Sequence, residues 1–147
     1  MKLPFFGSSE PKGNTVPPPV VVPDGATVVL MVDDEPAQRQ LFAFALRREG
    51  YCVLEACNGA EAIDMASQAG HLDLVVSDVM MPVMRGPELA TRLRERYPHV
   101  PVLFVSGYLM NEELGPDAHT MQKPFVRKDL LKSVFDIVGP PRPVPVV

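Results

Sequence analysis

Residues 28–36, with the sequence VVLMVDDEP, combine the two patterns that decide the fold. Five apolar residues in a row are typical of a short strand that is covered on both faces. Three carboxylates follow at once at positions 33–35, and Pro36 then suits the first turn of a helix. Because like charges at the edge of a core repel each other, these carboxylates are either fully solvated or grouped around a positive charge.

The same order of strand and helix continues along the chain. The apolar runs LDLVVS at 72–77 and PVLFVS at 101–106 predict two further strands that are covered on both faces. The more polar run YCVLEA at 51–56 predicts a weaker strand at an edge of the sheet. A last weak strand is expected to end at Lys123.

Helical patterns fill the segments between and after these strands. Pro36 and Asn58 are start signals for the first two helices, and Gly50 and Gly70 are their stop signals. The predicted helices lie at 36–49, 59–69, 86–97 and 127–138. The apolar face of the first helix is predicted to consist of Leu41, Phe42, Ala45 and Leu46.

Alternating strands and helices imply right-handed crossovers and a parallel sheet with helices on both of its faces. The predicted fold is therefore α/β, with a doubly wound sheet of five parallel strands. The segment from Tyr108 to Thr120 must hold a fourth helix and the start of the fifth strand, and Gly115 followed by Pro116 interrupts it. We therefore expect a short or poorly formed fourth helix there.

Length and composition indicate one globular domain with proline-rich ends. The chain has 147 residues, of which 46% are hydrophobic and 22% charged, and this is enough to bury a core without disulfides. Prolines are concentrated before residue 26 and after residue 139. We therefore predict a disordered proline-rich segment at 1–25, a single domain at 26–139 and a proline-rich tail at 140–147.

Charge and hydropathy argue against several classes of function. A net charge of −4 does not favour a nucleic-acid-binding surface, which requires clustered Lys and Arg. No apolar run approaches the roughly 20 residues that cross a bilayer, and the N-terminus does not resemble a signal peptide, so we expect a cytoplasmic protein without membrane contact. Cys52 and Cys57 are predicted to be small apolar residues rather than metal or redox sites.

Polar residues collect at the ends of the predicted strands. Asp33 and Asp34 follow the first strand, Asp78 follows LDLVVS, Ser106 ends PVLFVS, and Lys123 ends the last strand. In open parallel sheets, ligands bind outside the carboxyl ends of the strands. Three carboxylates, a hydroxyl and an ammonium group are therefore expected at one rim of the sheet.

This set of side chains suits a divalent cation and phosphoryl chemistry. Carboxylate oxygens are the ligands that Mg²⁺ prefers, and an ion held by Asp34, Asp78 and, through water, Asp33 would relieve the repulsion between them. Lys123 would add a second positive charge. A carboxylate can also be a nucleophile towards phosphorus, and Asp78 is the best candidate because it stands alone at its strand end.

Four motifs give the chain a resemblance to a known family. VDDEP, SDVMMPVMRGPEL, VSGY and QKPF, in this order and each at a strand end, resemble the receiver domain of two-component response regulators. The resemblance covers residues 27–138, nearly the whole central part of the chain. It implies a flavodoxin-like sheet with strand order 2-1-3-4-5.

The resemblance also implies roles for individual residues. Asp78 would be the phosphoacceptor, Asp34 and Asp78 direct ligands of Mg²⁺, Asp33 a ligand through water, and the backbone carbonyl of Met80 a further ligand. Ser106 would be the switch hydroxyl that turns towards the phosphoryl group.

The partners follow from the same resemblance. Lys123 would be the counter-ion of the phosphoryl group, followed by a cis peptide bond at Pro124. The phosphoryl donor would be a sensor histidine kinase or a histidine phosphotransfer protein, and the output would be binding to a further protein. In such a role the chain receives phosphate and is not an enzyme in its own right.

Two departures from the family pattern leave alternatives open. Family members usually carry Tyr or Phe three residues before the lysine, where this chain has Thr120, and the segment 107–119 is short. These features favour an interaction module that does not respond to phosphorylation. The sequence is also similar to the receiver at the end of some hybrid histidine kinases. A phosphatase is a third alternative, but such enzymes use an Asp-x-Asp arrangement at the first strand, whereas here the aspartates are adjacent.

Overall fold

Five parallel strands form one sheet within the part of the chain that the structure describes, which comprises residues 20–107, 114–115 and 118–144 of a computed structural model. The strands are β1 (Val28–Val32), β2 (Cys52–Ala56), β3 (Leu74–Asp78), β4 (Val102–Ser106) and β5 (His119–Gln122). Their order in the sheet is β2-β1-β3-β4-β5, and every neighbouring pair is parallel. The predicted strand order and the position of β2 at an edge are confirmed.

Alternate residues of β1 serve two separate cores, one on each face of the sheet. Val28, Leu30 and Val32 pack on one face, together with residues of the helices that follow β2 and β3. Val29 and Met31 pack on the other face, together with the helices that follow β1 and β5. All five residues of β1 are buried, which explains the uninterrupted apolar run.

The helices begin and end at the predicted residues, except that the third ends one residue early, at Arg96. They are α1 (Pro36–Glu49), α2 (Gly59–Ala69), α3 (Gly86–Arg96) and α4 (Arg127–Val138). The Asn58 side chain accepts a hydrogen bond from the Glu61 N–H and caps α2, and Gly50 ends α1 in the left-handed region at φ 110°. Within the described ranges, none of the helices is long and apolar enough to span a bilayer.

One helix face differs from the prediction. Leu41, expected on the apolar face of α1, is 54% exposed, and the small Ala43 is fully buried in its place. The buried positions of α1 are Phe42, Ala43, Ala45 and Leu46. The helix is therefore rotated towards Ala43, whose small side chain allows close contact with the sheet. The short fourth helix predicted within 108–120 falls largely on 108–113 and 116–117, which lie outside the described residues.

Both ends of the described chain meet below the sheet, at the amino ends of its strands. The backbone N–H of Arg142 donates to the Thr27 hydroxyl at 2.9 Å, and its guanidinium donates to the carbonyls of Gly25 and Ala26 at 3.0 and 2.9 Å. The guanidinium also pairs with the Asp73 carboxylate at 3.0 Å. Residues just past α4 are thus fastened to residues just before β1. The domain boundaries at residues 26 and 139 stay predictions.

Candidate functional site

Three aspartates meet above the carboxyl ends of β1 and β3. Asp33 and Asp34 follow β1, and Asp78 is the last residue of β3, the strand beside it in the sheet. One carboxylate oxygen from each of the three lies within 4.8 Å of the other two. Asp33 and Asp78 are buried, at 5% and 7% exposure, whereas Asp34 is open to solvent. The predicted acidic cluster is therefore present.

Lys123 supplies the positive charge of the cluster. Its ammonium Nζ lies 2.8 Å from Oδ1 of Asp78, and its backbone N–H donates to the carbonyl of Ser106 at 2.8 Å. The peptide bond between Lys123 and Pro124 is cis, as the family resemblance implies. Lys123 follows β5 directly, so its position depends on the pairing of β5 with β4.

The electrostatics of the cluster disfavour the charged form of Asp78. Burial is the largest cause that raises the pKa of Asp78 from its ordinary value of 3.8 to about 7. A hydrogen bond and the charge of Lys123 lower this pKa, whereas a hydrogen bond and the charge of Asp33 raise it. One ammonium group therefore does not compensate fully for burial and for the second carboxylate. A further positive charge at this point would return Asp78 to its ionised form.

Asp33 is held by three donors from the loop and the first turn of α1. The backbone N–H of Glu35 donates to Oδ1 at 2.8 Å, and the Gln38 side-chain amide donates to Oδ2 at 2.8 Å. The Arg39 guanidinium donates to the backbone carbonyl of Asp33 at 2.9 Å and to the Glu55 carboxylate on β2 at 3.3 Å. Gln38 and Arg39 were not predictable from the sequence, because a lone polar residue in a helix gives no pattern.

Ser106 and Met80 lie where the sequence places them along the chain. Ser106 ends β4, is buried at 4% exposure and pairs in register with Gln122, the last residue of β5, which directly precedes Lys123. Met80 follows Asp78 by two residues, and its side chain is exposed with its sulfur 3.0 Å from the Arg85 guanidinium. The structure thus brings the three aspartates and Lys123 into one cluster, with Ser106 joined to Lys123 through the backbone.

Gly86 permits the loop after β3 to fold back onto the cluster. Its N–H donates to the carbonyl of Val79 at 2.9 Å, which begins α3 directly against the end of β3. A Cβ atom at Gly86 would collide with the backbone carbonyl of Asp78. This position therefore requires glycine for close approach, a requirement that the motif around Asp78 did not reveal.

The donor set of the cluster fits a hard divalent cation. Three carboxylates converge within the span of one metal site, and two of them are buried with a shortage of positive charge around Asp78. Thiol and imidazole ligands are absent from this group of residues. The chemistry of the ligands therefore favours magnesium-like ions over zinc or copper.

Comparisons with known proteins agree with this geometry. The family model of the response regulator receiver domain matches residues 29–135. The chain is 40% identical over 120 residues to the sensor kinase CckA of Brucella abortus (strain 2308), and this alignment covers 78% of this chain and 13% of the kinase. It is 31% identical over 111 residues to the response regulator receiver protein CpdR of the same organism, which covers 72% of this chain and 92% of CpdR.

Solved structures show the same fold. The crystal structure of the receiver domain from the hybrid histidine kinase CckA aligns at a TM-score of 0.67 with 38% identity, covering 76% of this chain and 98% of that one. The Vibrio cholerae chemotaxis protein CheY4 aligns at a TM-score of 0.71 with 33% identity over the same shares. The chain spans only 13% and 17% of the sensor kinases CckA and LuxN that it matches. From residue 29 to residue 135, this chain belongs to the response regulator receiver domain family.

Proposed function

We propose that this chain is the phosphoacceptor of a two-component phosphorelay and that Asp78 receives the phosphoryl group. The observation that carries the proposal is the contact between the buried Asp78 carboxylate and the Lys123 ammonium group at 2.8 Å, inside a cluster of three carboxylates. A buried carboxylate beside a fixed ammonium group is positioned both to attack phosphorus and to keep the product charge neutralised.

The proposed step is a transfer from a phosphohistidine. An Asp78 carboxylate oxygen forms a bond to phosphorus while the phosphorus–nitrogen bond of the donor breaks, and the electron pair leaves with the imidazole, which takes up a proton. The product is an acyl phosphate on Asp78. The donor is a sensor histidine kinase or a histidine phosphotransfer protein, and we place both partners in the cytoplasm.

Magnesium is the proposed cofactor. When bound, Mg²⁺ supplies charge neutralisation for the phosphoryl oxygens. Asp34 and Asp78 would hold it directly, Asp33 through water, and Met80 through its backbone carbonyl. The exposure of Asp34 supports a site that is open to exchange with solvent, because Mg²⁺ in proteins keeps several of its waters.

Two further residues complete the proposed phosphoryl site. Lys123 is the counter-ion that stays on the phosphoryl group, and the Ser106 hydroxyl is the donor that turns towards it. A backbone hydrogen bond of 2.8 Å between Lys123 and Ser106 holds the two residues side by side while the hydroxyl turns. We propose that this movement changes how the chain binds an output protein, and that the chain itself turns over no substrate.

The similar proteins favour neither the interaction module that does not respond to phosphorylation nor a fragment of a hybrid kinase over a phosphoacceptor domain. They include a receiver protein covered over 92% of its length as well as a receiver within a longer kinase. Thr120, which prompted the idea of an insensitive interaction module, is an exposed residue of β5 in register with Phe104. Thr120 is not part of the acidic cluster that the three aspartates form.

The direct test is the intact mass of the protein after incubation with Mg²⁺ and a small acyl phosphate. We expect the mass of one phosphate to be added to the wild-type chain, and not to Asp78→Asn or to a sample containing EDTA. Asp64→Asn, an exposed aspartate on α2, is the matched control and should label like wild type. Labelling of the Asp78 variant would refute the proposal. Failure of the wild type to be labelled by either acyl phosphate or a phosphorylated kinase would also refute it.

A further inference from the structure

We infer that Gln38 is a positioning residue for the metal site, acting through Asp33 to set the affinity for Mg²⁺. The inference rests on the proposed function, because it concerns the cation that the acidic cluster would hold. Gln38 lies in the first turn of α1, and its side-chain amide donates to Oδ2 of Asp33 at 2.8 Å.

The Asp33 carboxylate needs to be held because its surroundings repel it. It is buried beside the carboxylate of Asp78, within the 4.8 Å span of the cluster. Its two oxygens have different donors, since Oδ1 accepts from the backbone of Glu35 and Oδ2 from Gln38. Two donors on opposite oxygens fix the plane of a carboxylate, whereas one donor leaves it free to rotate about that contact.

Within the described part of the chain, the contact with Asp33 is the one hydrogen bond that the Gln38 side chain forms. Behind the acidic cluster lies a small cavity of about 10 Å³, too small to hold more than one water, and Gln38 lines it together with Phe42 and Phe125. These two rings are stacked at 4.9 Å between centroids. An apolar side chain of the same length would suit these neighbours as well as glutamine does, so packing alone does not require an amide here.

The next residue along α1 completes the hold on Asp33. Arg39 donates to the Asp33 backbone carbonyl at 2.9 Å and is itself tied to Glu55 on β2. The backbone of Asp33 is therefore fixed by Arg39 and its side chain by Gln38. Loss of the Gln38 amide should free the carboxylate while leaving the loop in place, which separates an effect on the metal from an effect on folding.

The test uses Gln38→Met, which keeps the length of the side chain but cannot donate a hydrogen bond. Gln40→Met is the matched control, because Gln40 is an exposed residue of the same helix. Calorimetric titration of the full chain with MgCl₂ should show binding that is about tenfold weaker for Gln38→Met, the lower end of the effect of partners that orient metal ligands. Gln40→Met should bind like wild type.

A second measurement distinguishes positioning from damage to the fold. The initial rate of acyl-phosphate labelling is measured as a function of Mg²⁺ concentration. For Gln38→Met, the concentration of Mg²⁺ at half-maximal rate should rise about tenfold, while the rate at saturating Mg²⁺ stays close to wild type. Because Mg²⁺ binds the folded state, partial unfolding would also raise this concentration, so the far-ultraviolet circular dichroism and urea midpoint of Gln38→Met in EDTA are measured beside it and should match those of Gln40→Met.

The outcomes separate this inference from the proposed function. If wild type binds Mg²⁺ and is labelled, and Gln38→Met has the same or a tighter affinity, the role of Gln38 is refuted and the phosphoacceptor function stands. If wild type neither binds Mg²⁺ nor is labelled, both fail. An equal loss of affinity in Gln38→Met and Gln40→Met would also overturn the inference, because the effect would then not depend on the Asp33 contact.

Discussion

Replacing Asp78 with asparagine should stabilise the metal-free protein, and the gain should depend on pH. The buried Asp78 carboxylate has a pKa raised from 3.8 to about 7, mainly by burial. The contribution of protonated Asp78 to folding stability is therefore fully present below pH 3.8 and is lost as the pH rises to about 7. Asparagine stays neutral at every pH, so the stability that the Asp78→Asn variant gains over wild type grows between pH 3.8 and about pH 7 and is constant above about pH 7.

The expected gain in folding stability follows from the shift in the pKa of Asp78. The pKa rises from 3.8 to about 7, so ionised Asp78 destabilises the metal-free protein by about 4 kcal/mol at most, at 1.36 kcal/mol for each pKa unit. The attraction of Lys123 is already included in this pKa, so the loss of the ion pair is not subtracted again. We therefore expect a net gain of at most about 4 kcal/mol at pH 8 and of about 2 kcal/mol at pH 5.

Urea unfolding followed by far-ultraviolet circular dichroism in EDTA measures this difference, since the chain has no tryptophan. Wild type, Asp78→Asn and the exposed control Asp64→Asn are compared at pH 5, 6, 7 and 8. Saturating Mg²⁺ should stabilise wild type and not Asp78→Asn, and so reduce the gain. A gain that does not change from pH 5 to pH 8, or a loss of stability in Asp78→Asn at pH 8, would refute the electrostatic account of the cluster.

Three other changes test separate parts of the structure. Lys123→Met should slow acyl-phosphate labelling by about 10²-fold, because a fixed donor to the developing charge is lost, and a wild-type rate would contradict its role as counter-ion. Gly86→Ala should destabilise the protein by about 1–3 kcal/mol in urea unfolding, because its Cβ meets a backbone carbonyl, whereas Gly107→Ala has open space and should change little. Arg142→Ala should cost about 1–2 kcal/mol for its lost hydrogen bonds, against about 0.5 kcal/mol or less for the exposed Arg92→Ala, and equal effects would argue against the packing of the tail.

Elements with a strong local pattern were predictable from the sequence. The apolar run of β1 requires cover on both faces, and the structure provides two cores for its alternate residues. The polar alternation of β2 places it at an edge, and Gly50 and Gly70 end their helices as expected. The acidic cluster was also predictable, because parallel strands bring their carboxyl ends to one rim whatever lies between them.

Features that depend on exact rotation or on distant contacts were not predictable. Leu41 and Ala43 lie on opposite sides of the buried face of α1, and hydropathy favours the larger side chain while close packing on the sheet favours the smaller one. Gln38 contacts Asp33 because the first turn of α1 starts directly after the loop, and this contact has no signal in the sequence. Arg142 was placed in a tail by its neighbouring prolines, yet its partners Gly25, Ala26 and Thr27 lie more than a hundred positions earlier in the chain.

The hydrogen bonds of Arg142 have a mechanical consequence. They join the incoming and outgoing segments of the chain at the end of the molecule away from Asp78. A pulling force applied through both segments would act first on these hydrogen bonds and would break them one after another. The strands lie behind the junction and would bear tension only after it had parted. We therefore expect these bonds to break before tension reaches the strands that carry the acidic cluster.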